Sequence, residues 1–196
     1  MVKTGLILAG GKGTRMGKLT KDVPKCLLKI GKFAILSHLY TQLRISKLEK
    51  IVICTGYKSK KIKNFCKINI HKESDLILRK LNISNKIKKP KIFFSELNKE
   101  ASTSQRLIKA KKFLYNDNIF LFLYGDTLLK YDIKSLYKKF ISKKLQGILT
   151  ISNPPSSFGV INIKNNHICS FDEKKSLKNI WVNSGWGIFK TKDIKK

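Results

Sequence analysis

The run Leu6–Gly31, LILAGGKGTRMGKLTKDVPKCLLKIG, concentrates residue types that handle phosphate. A short apolar segment ends at Ala9, and Gly10, Gly11 and Gly13 follow at once. Glycines at such a place let backbone N–H groups approach a phosphate or base closely, and successive turned N–H groups form an anion-binding concavity. Thr14 supplies a hydroxyl, and Arg15 a guanidinium fork matched to phosphate oxygens. Lys25, behind Pro24, adds a second positive charge. The GK[ST] ending of a P-loop is missing. So is the GxGxxG spacing of dinucleotide binders, with its acidic residue at the ribose position. A plain glycine turn accounts for Gly10 and Gly11 but not for the whole string.

These residues need a frame, and the hydropathy pattern supplies one. Short apolar runs predict strands at Thr4–Ala9, Ile51–Thr55, Lys91–Ser95 and Ile119–Tyr124, with further strands at Gly147–Ser152, Gly159–Ile163, His167–Phe171 and Trp181–Phe189. Helical spacing of apolar residues marks Phe33–Ser46, Ser59–Cys66 and Ser104–Leu114. Asp132 is a suitable N-cap for a helix over Ile133–Ser142. The segment Asn69–Pro90 is rich in Lys, Asn and Ser and reads as an insertion or a helix of undefined limits. Alternation of strands and helices predicts an α/β fold: a Rossmann-like, mostly parallel sheet with helices on both faces. Strands that are apolar throughout agree with burial on both sides. At 196 residues, one domain over 1–196 is expected.

The net charge of +30 comes from 42 Lys and Arg against 12 Asp and Glu. Such a field attracts polyanions, so a nucleic-acid or membrane-surface binder is one reading. Against it, only Arg15, Arg44, Arg79 and Arg106 are arginines, whereas bidentate contacts to phosphate and guanine favour Arg over Lys. The Lys-, Ile- and Asn-rich mixture is what an A/T-rich coding sequence supplies. Cys26, Cys54, Cys66 and Cys169 form no CxxC pair, and no His stands at metal-ligand spacing, so reduced thiols are expected rather than zinc ligands. GLILAGG is too short for a signal peptide, and no stretch approaches the roughly 18 apolar residues of a membrane span. A cytoplasmic protein without membrane insertion is therefore expected.

The string LAGGKGTR followed by PKCL resembles the sugar-nucleotide pyrophosphorylase (sugar-1-phosphate nucleotidyltransferase) family, and most closely its glucose-1-phosphate cytidylyltransferases. Further similar segments follow in order: ICTGYK (Ile53–Lys58), TSQRL (Thr103–Leu107), FLFLYGD (Phe120–Asp126), PPSSFGVI (Pro154–Ile161), SFDEK (Ser170–Lys174) and VNSGWGIF (Val182–Phe189). The resemblance implies transfer of a nucleotidyl group from an NTP, with CTP the first choice, to a sugar 1-phosphate, with glucose 1-phosphate the first choice, releasing pyrophosphate. It implies Arg15, Lys25 and Asp126 as catalytic residues, with Asp126 holding Mg²⁺. It implies Leu8, Ala9, Gly10, Gly11, Lys12, Gly13, Thr14, Thr103, Arg106 and Gly125 around the nucleotide, and Glu173, Lys174 and Asn183 around the sugar phosphate. The chemistry agrees. Asp126 ends an apolar strand, where open α/β sheets bind ligands, and a hard carboxylate suits Mg²⁺ bridging phosphates. Both reactants are anions, so alignment and charge compensation are the main tasks.

Several positions depart from the family pattern. Ser104-Gln105 stands where the cytidylyltransferases have two glycines, which predicts crowding of the base. Cys26 and Ala34 replace prolines. The family's C-terminal extension, with a second metal-binding Asp and oligomer contacts, is not matched; Asp172 and Asp193 lie in the wrong context. Three alternatives stay open: a heptose- or mannose-1-phosphate guanylyltransferase, an inactive or truncated homologue that binds nucleotide but turns over slowly, and a basic nucleic-acid-binding module. A homo-oligomer is compatible with the resemblance.

Overall fold

A computed structural model describes residues 1–156, 159–173 and 180–194; of Arg15 the backbone alone is described. Ten strands and five helices run β1 (Thr4–Leu8), β2 (Lys29–Ile30), β3 (Phe33–Ala34), α1 (Ile35–Ile45), β4 (Lys50–Thr55), α2 (Ser59–Ile68), α3 (Ile70–Lys80), β5 (Lys91–Glu96), α4 (Thr103–Ala110), β6 (Ile119–Tyr124), α5 (Ile133–Ser142), β7 (Gly147–Ser152), β8 (Val160–Lys164), β9 (His167–Asp172) and β10 (Val182–Lys190). Six strands form the main sheet in the order β5-β4-β1-β6-β10-β7. β5, β4, β1 and β6 are mutually parallel, and β10 runs antiparallel between β6 and β7. The α/β fold is as the hydropathy pattern predicted.

Successive side chains of a strand point to opposite faces, and here both faces are buried. Ile7, Ile51, Ile53, Leu121 and Leu123 pack toward α1, α2, α3 and α5, through Leu36, Leu39, Ile62, Ile70 and Phe140. Leu6, Val52, Cys54, Phe120 and Phe122 face the other way, against Ala110 of α4 and Leu114. Helices therefore cover the sheet from both sides, and the strands read as continuous apolar runs for that reason.

Helix starts follow local chemistry. The Asp132 carboxylate accepts from Lys134 N at 3.0 Å and Ser135 N at 3.2 Å, so α5 begins where the sequence placed it. Ser102 caps α4 in a reciprocal capping box with Gln105: Gln105 N donates to Ser102 Oγ, and Ser102 N donates to Gln105 Oε1. That box moves the helix start to Thr103, and the helix ends at Ala110, where a 3₁₀ turn over Lys111–Phe113 takes over. The β8–β9 hairpin turns on Asn165 and Asn166, both at positive φ, a two-residue turn suited to the twist of the strands.

Residues 69–90, read from the sequence as an insertion or a helix of undefined limits, contain a regular helix. α3 buries Ile70, Ser74, Ile77 and Leu78, and its Asp75 meets Arg44 of α1. The fully buried Arg44 guanidinium also donates to Ser74 Oγ at 3.3 Å, Ile87 O at 2.9 Å and Asn85 O at 2.5 Å. One guanidinium thus fastens α3 and the loop after it. The three cysteines at 26, 54 and 66 are buried, Cys169 is exposed, and all four are free. Burial pushes the Cys54 and Cys66 thiols up to about 12. Among the described residues no helix is long and apolar enough to cross a membrane.

Candidate nucleotide site

The chain runs outward from β1 through β4 to β5, then returns to place β6 on β1's other side. Ligands of open α/β sheets bind at such a reversal, beyond the carboxyl ends of the strands. Here the two tips are in register, Leu8 opposite Tyr124, and Gly125 N donates to Leu8 O at 2.8 Å. The approach leaves no room for a side chain, since a Cβ on Gly125 would lie 2.7 Å from Leu8 O and 3.3 Å from Ala9 Cα.

Beyond Leu8 the backbone turns. Gly13 takes φ 68°, the left-handed region that favours glycine, and a 3₁₀ segment over Thr14–Thr20 follows. The buried Thr20 hydroxyl donates to Gly13 O at 3.0 Å and closes the loop on itself. The GYK residues after β4 hold the far side. Tyr57 N donates to Gly10 O at 3.1 Å, Tyr57 Oη to Lys21 O at 3.0 Å, and Lys61 Nζ to Asp22 O at 2.7 Å. Lys58 Nζ also donates to Lys21 O. The similarity seen at Ile53–Lys58 is thus a support for the glycine loop.

These turns enclose a cleft of about 350 Å³. Leu8, Ala9, Gly10, Gly11, Gly13, Thr14, Lys25, Thr103, Arg106, Gly125 and Asp126 line it, as expected from the sequence. Lys25 comes from the short turn after Pro24, and its ammonium forms an ion pair with Asp126. Asp126 Oδ1 also accepts from Thr127 Oγ1 at 3.2 Å. The cleft therefore joins backbone amides, a hydroxyl, an ammonium and a carboxylate, an arrangement able to hold a polyphosphate and a hard cation. Cys26 shares the wall, where burial pushes its thiol far up, opposite to the lowered value of an activated thiolate.

Other expected residues lie elsewhere. Lys12 does not line the cleft; its ammonium pairs with Glu100 at 2.7 Å. Arg106 does line the cleft, yet its buried guanidinium donates to the carbonyls of Thr55 (2.7 Å), Asn98 (2.9 Å) and Gly10 (3.3 Å). Burial lowers its pKa from the ordinary value. Asn183 is exposed beside a separate apolar groove between α4 and the β6–β10 face, and its Oδ1 accepts from Gly185 N at 2.7 Å across a bulge in β10. Glu173 is exposed at the end of β9, and Lys174 lies outside the described residues. Neither Glu173 nor Asn183 is among the residues that line this cleft. Ser104 and Gln105 do not crowd it either. Gln105 turns back into its capping box, and Ser104 faces the apolar groove.

Lys99, Ala101 and Tyr124 belong to the wall and were not expected. Tyr124 was legible as the residue before Gly125 at a strand end. Lys99 and Ala101 carry no pattern, since the Arg106 guanidinium draws their loop in.

A glycine loop and a carboxylate on adjacent strand tips, at the reversal of a parallel sheet, define a nucleotide-handling α/β protein. Residues 4–196 match the nucleotidyl transferase family, and the chain belongs to it. It is a transferase enzyme by that membership. It is 28% identical over 186 residues to a glucose-1-phosphate cytidylyltransferase of Salmonella typhimurium, covering 92% of this chain and 72% of the relative. It is 27% identical over 190 residues to a D-glycero-alpha-D-manno-heptose 1-phosphate guanylyltransferase of Campylobacter jejuni, covering 96% and 76%. Among solved structures it is similar to HddC from Yersinia pseudotuberculosis complexed with GMP-PN, with a TM-score of 0.67, 25% identity, and coverage of 98% of this chain and 79% of that one.

Proposed function

We propose that this chain transfers a nucleotidyl group from an NTP, CTP in the first instance, to a sugar 1-phosphate such as glucose 1-phosphate, with release of pyrophosphate. The observation that carries the reading is the single cleft where the Gly10–Thr14 loop faces Lys25 and Asp126. A phosphate oxygen of the sugar phosphate forms the new bond to the α-phosphorus, and the bond from that phosphorus to the pyrophosphate oxygen breaks. No protein nucleophile is required. The loop amides and the Thr14 hydroxyl hold the phosphates, and Lys25, with Arg15, offsets their charge.

Mg²⁺ fits the donor set. Asp126 is a hard oxygen ligand beside the phosphate cradle, and magnesium is commonly held by one or two carboxylates with the rest of its shell from phosphate and water. When bound, it supplies charge neutralisation at the phosphate oxygens. Among the described residues no group of three or more His, Cys, Asp or Glu side chains is placed to hold a metal, so phosphate and water would supply much of the shell beside Asp126. A cytoplasmic location fits substrates of this kind.

The relative from Salmonella typhimurium favours cytidylyl transfer. A guanylyl transfer to heptose 1-phosphate is the second reading, favoured by the Campylobacter jejuni relative and by the HddC complex. Four NTPs tested against glucose, mannose and heptose 1-phosphates with Mg²⁺, with pyrophosphate as the readout, decide between them. No release with any pair removes the proposal.

A further inference from the structure

Arg106 is a charged side chain buried to 5% exposure inside the cleft wall, and its donors point at protein carbonyls. Those carbonyls belong to three segments far apart in sequence: Gly10 in the glycine loop, Thr55 at the end of β4, and Asn98 in the loop before α4. Lys99 O lies at the limit of the same reach, 3.5 Å. Lys12 and Glu100 also join the glycine loop to the 98–101 loop, but Arg106 bonds to carbonyls of all three segments. α4 delivers the guanidinium, and the Ser102–Gln105 capping box fixes where that helix starts.

Two glycines make room for it. A Cβ on Gly10 would lie 2.5 Å from Cζ and 3.1 Å from Nε of Arg106. A Cβ on Gly56 would lie 2.6 Å from Nη1 and 2.8 Å from Nη2 of Arg106, and 2.9 Å from the Gly10 carbonyl oxygen. Neither residue has positive φ, so backbone conformation does not demand glycine at either position. At Gly10 the constraint is the planar guanidinium alone; at Gly56 it is the guanidinium together with the Gly10 carbonyl. A long side chain ordinarily yields to an added methyl, but this one is held by its carbonyl bonds, and moving it leaves buried acceptors unpaired.

We infer that Arg106 is a positioning residue: it locks the glycine loop, the β4 tip and the 98–101 loop into one rigid cradle, and Gly10 is a glycine because of it. This rests on the proposed nucleotide reading of the cleft. The guanidinium orients the loop amides of Gly11 and Gly13, and it draws Lys99 and Ala101 into the wall where a nucleotide lies. Lysine cannot replace it, since a single ammonium lacks the planar fork that reaches three segments.

The test is a mutant cycle on nucleotide affinity, measured by calorimetry with each of the four NTPs and Mg²⁺. Arg106→Met and Gly10→Ala each weaken binding by about tenfold, the scale expected for residues acting as one unit. Gly10→Ala added to Arg106→Met costs less than about twofold, since no lock remains to break. Arg106→Lys resembles Arg106→Met. Effects that multiply, or restoration by lysine, overturn the inference and assign Arg106 a direct charge contact with the ligand. A second arm uses no ligand. Hydrogen exchange at residues 10–14 and 98–101 accelerates together in Arg106→Met, while α1 is unchanged. Unchanged exchange in both loops also overturns the inference. If the wild type binds no NTP while the two loops still loosen together, the lock stands and the nucleotide reading falls.

Discussion

Lys25 and Asp126 meet as an ion pair across the cleft, the ammonium carried by the turn after Pro24 and the carboxylate by the residue after Gly125 at the tip of β6. The lysine side chain is 37% exposed and the aspartate 28%, so both stay open to an incoming ligand. A triphosphate competes for the ammonium and a divalent cation for the carboxylate, so the two ligands relieve the same pair from opposite ends.

Replacing Asp126 by Asn keeps the shape and removes the negative charge. Mg²⁺-dependent pyrophosphate release is expected to fall by about 100-fold or more, while NTP affinity without metal stays near the wild-type value or improves. Steady-state pyrophosphate assays and metal-free calorimetry check the two halves.

Lys12 sits in the middle of the glycine loop yet pairs outward with Glu100, and that pairing holds the Glu100 carboxyl below its usual range. Exposed pairs of this kind contribute little. Lys12→Ala is expected to change NTP affinity by less than about threefold at 150 mM salt. Lys25→Met is expected to weaken it by about tenfold or more. A titration of both variants with the preferred NTP separates them.

Much of this arrangement was legible before any coordinates. The apolar run Ile119–Tyr124 is a strand to the residue, because a strand buried on both faces has no polar alternation to blur its ends. The Gly10–Thr14 wall was readable because only a backbone-lined phosphate cradle needs that many small residues. α3 was not. Lys72, Glu73 and Asp75 crowd its sequence, and one of its main partners is a buried arginine rather than a leucine. Glu173 and Asn183 were carried by resemblance alone, and no local pattern could have shown that Asn183 closes a β-bulge. The roles of Lys99 and Ala101 depend on a guanidinium several residues away folding back over them.

Arg44 makes α3 testable. Its guanidinium bonds to Asp75 at 2.5 Å and to three further oxygens, and desolvation of the Asp75 carboxyl is outweighed by hydrogen bonds from Arg44 and Lys89 that hold it below its ordinary value. Arg44→Met leaves the buried acceptors of Asn85 and Ile87 without their partner and Asp75 with Lys89 alone. A loss of about 3–5 kcal/mol in unfolding free energy is expected from urea titration. The cleft is built by other elements, so NTP affinity of the folded fraction stays unchanged.

His71 adds a pH dependence. Its Nδ1 meets Tyr40 Oη at 2.9 Å, and burial, with Lys89 and Arg44 nearby, lowers its pKa from the ordinary 6.5 against the opposing pull of Asp75. The unfolded chain therefore binds a proton that the folded one resists. Stability from this group is complete above about pH 6.5 and declines as pH falls through the lowered folded value. Thermal midpoints of the wild type should drop on acidification across that window more steeply than those of His71→Gln.

The central place of β1 in the sheet also sets when the cleft can exist. Leu8 pairs with Cys54 on one side and with Tyr124 on the other. During synthesis, at roughly 5–20 residues per second, the glycine loop leaves the ribosome on the order of ten seconds before its partner strand. Until β6 arrives, β1 has an open edge and the loop has no opposite wall. A nascent chain halted short of β6 therefore presents the open edge of an apolar strand to chaperones, and it lacks the cleft with which nucleotide could stabilise it.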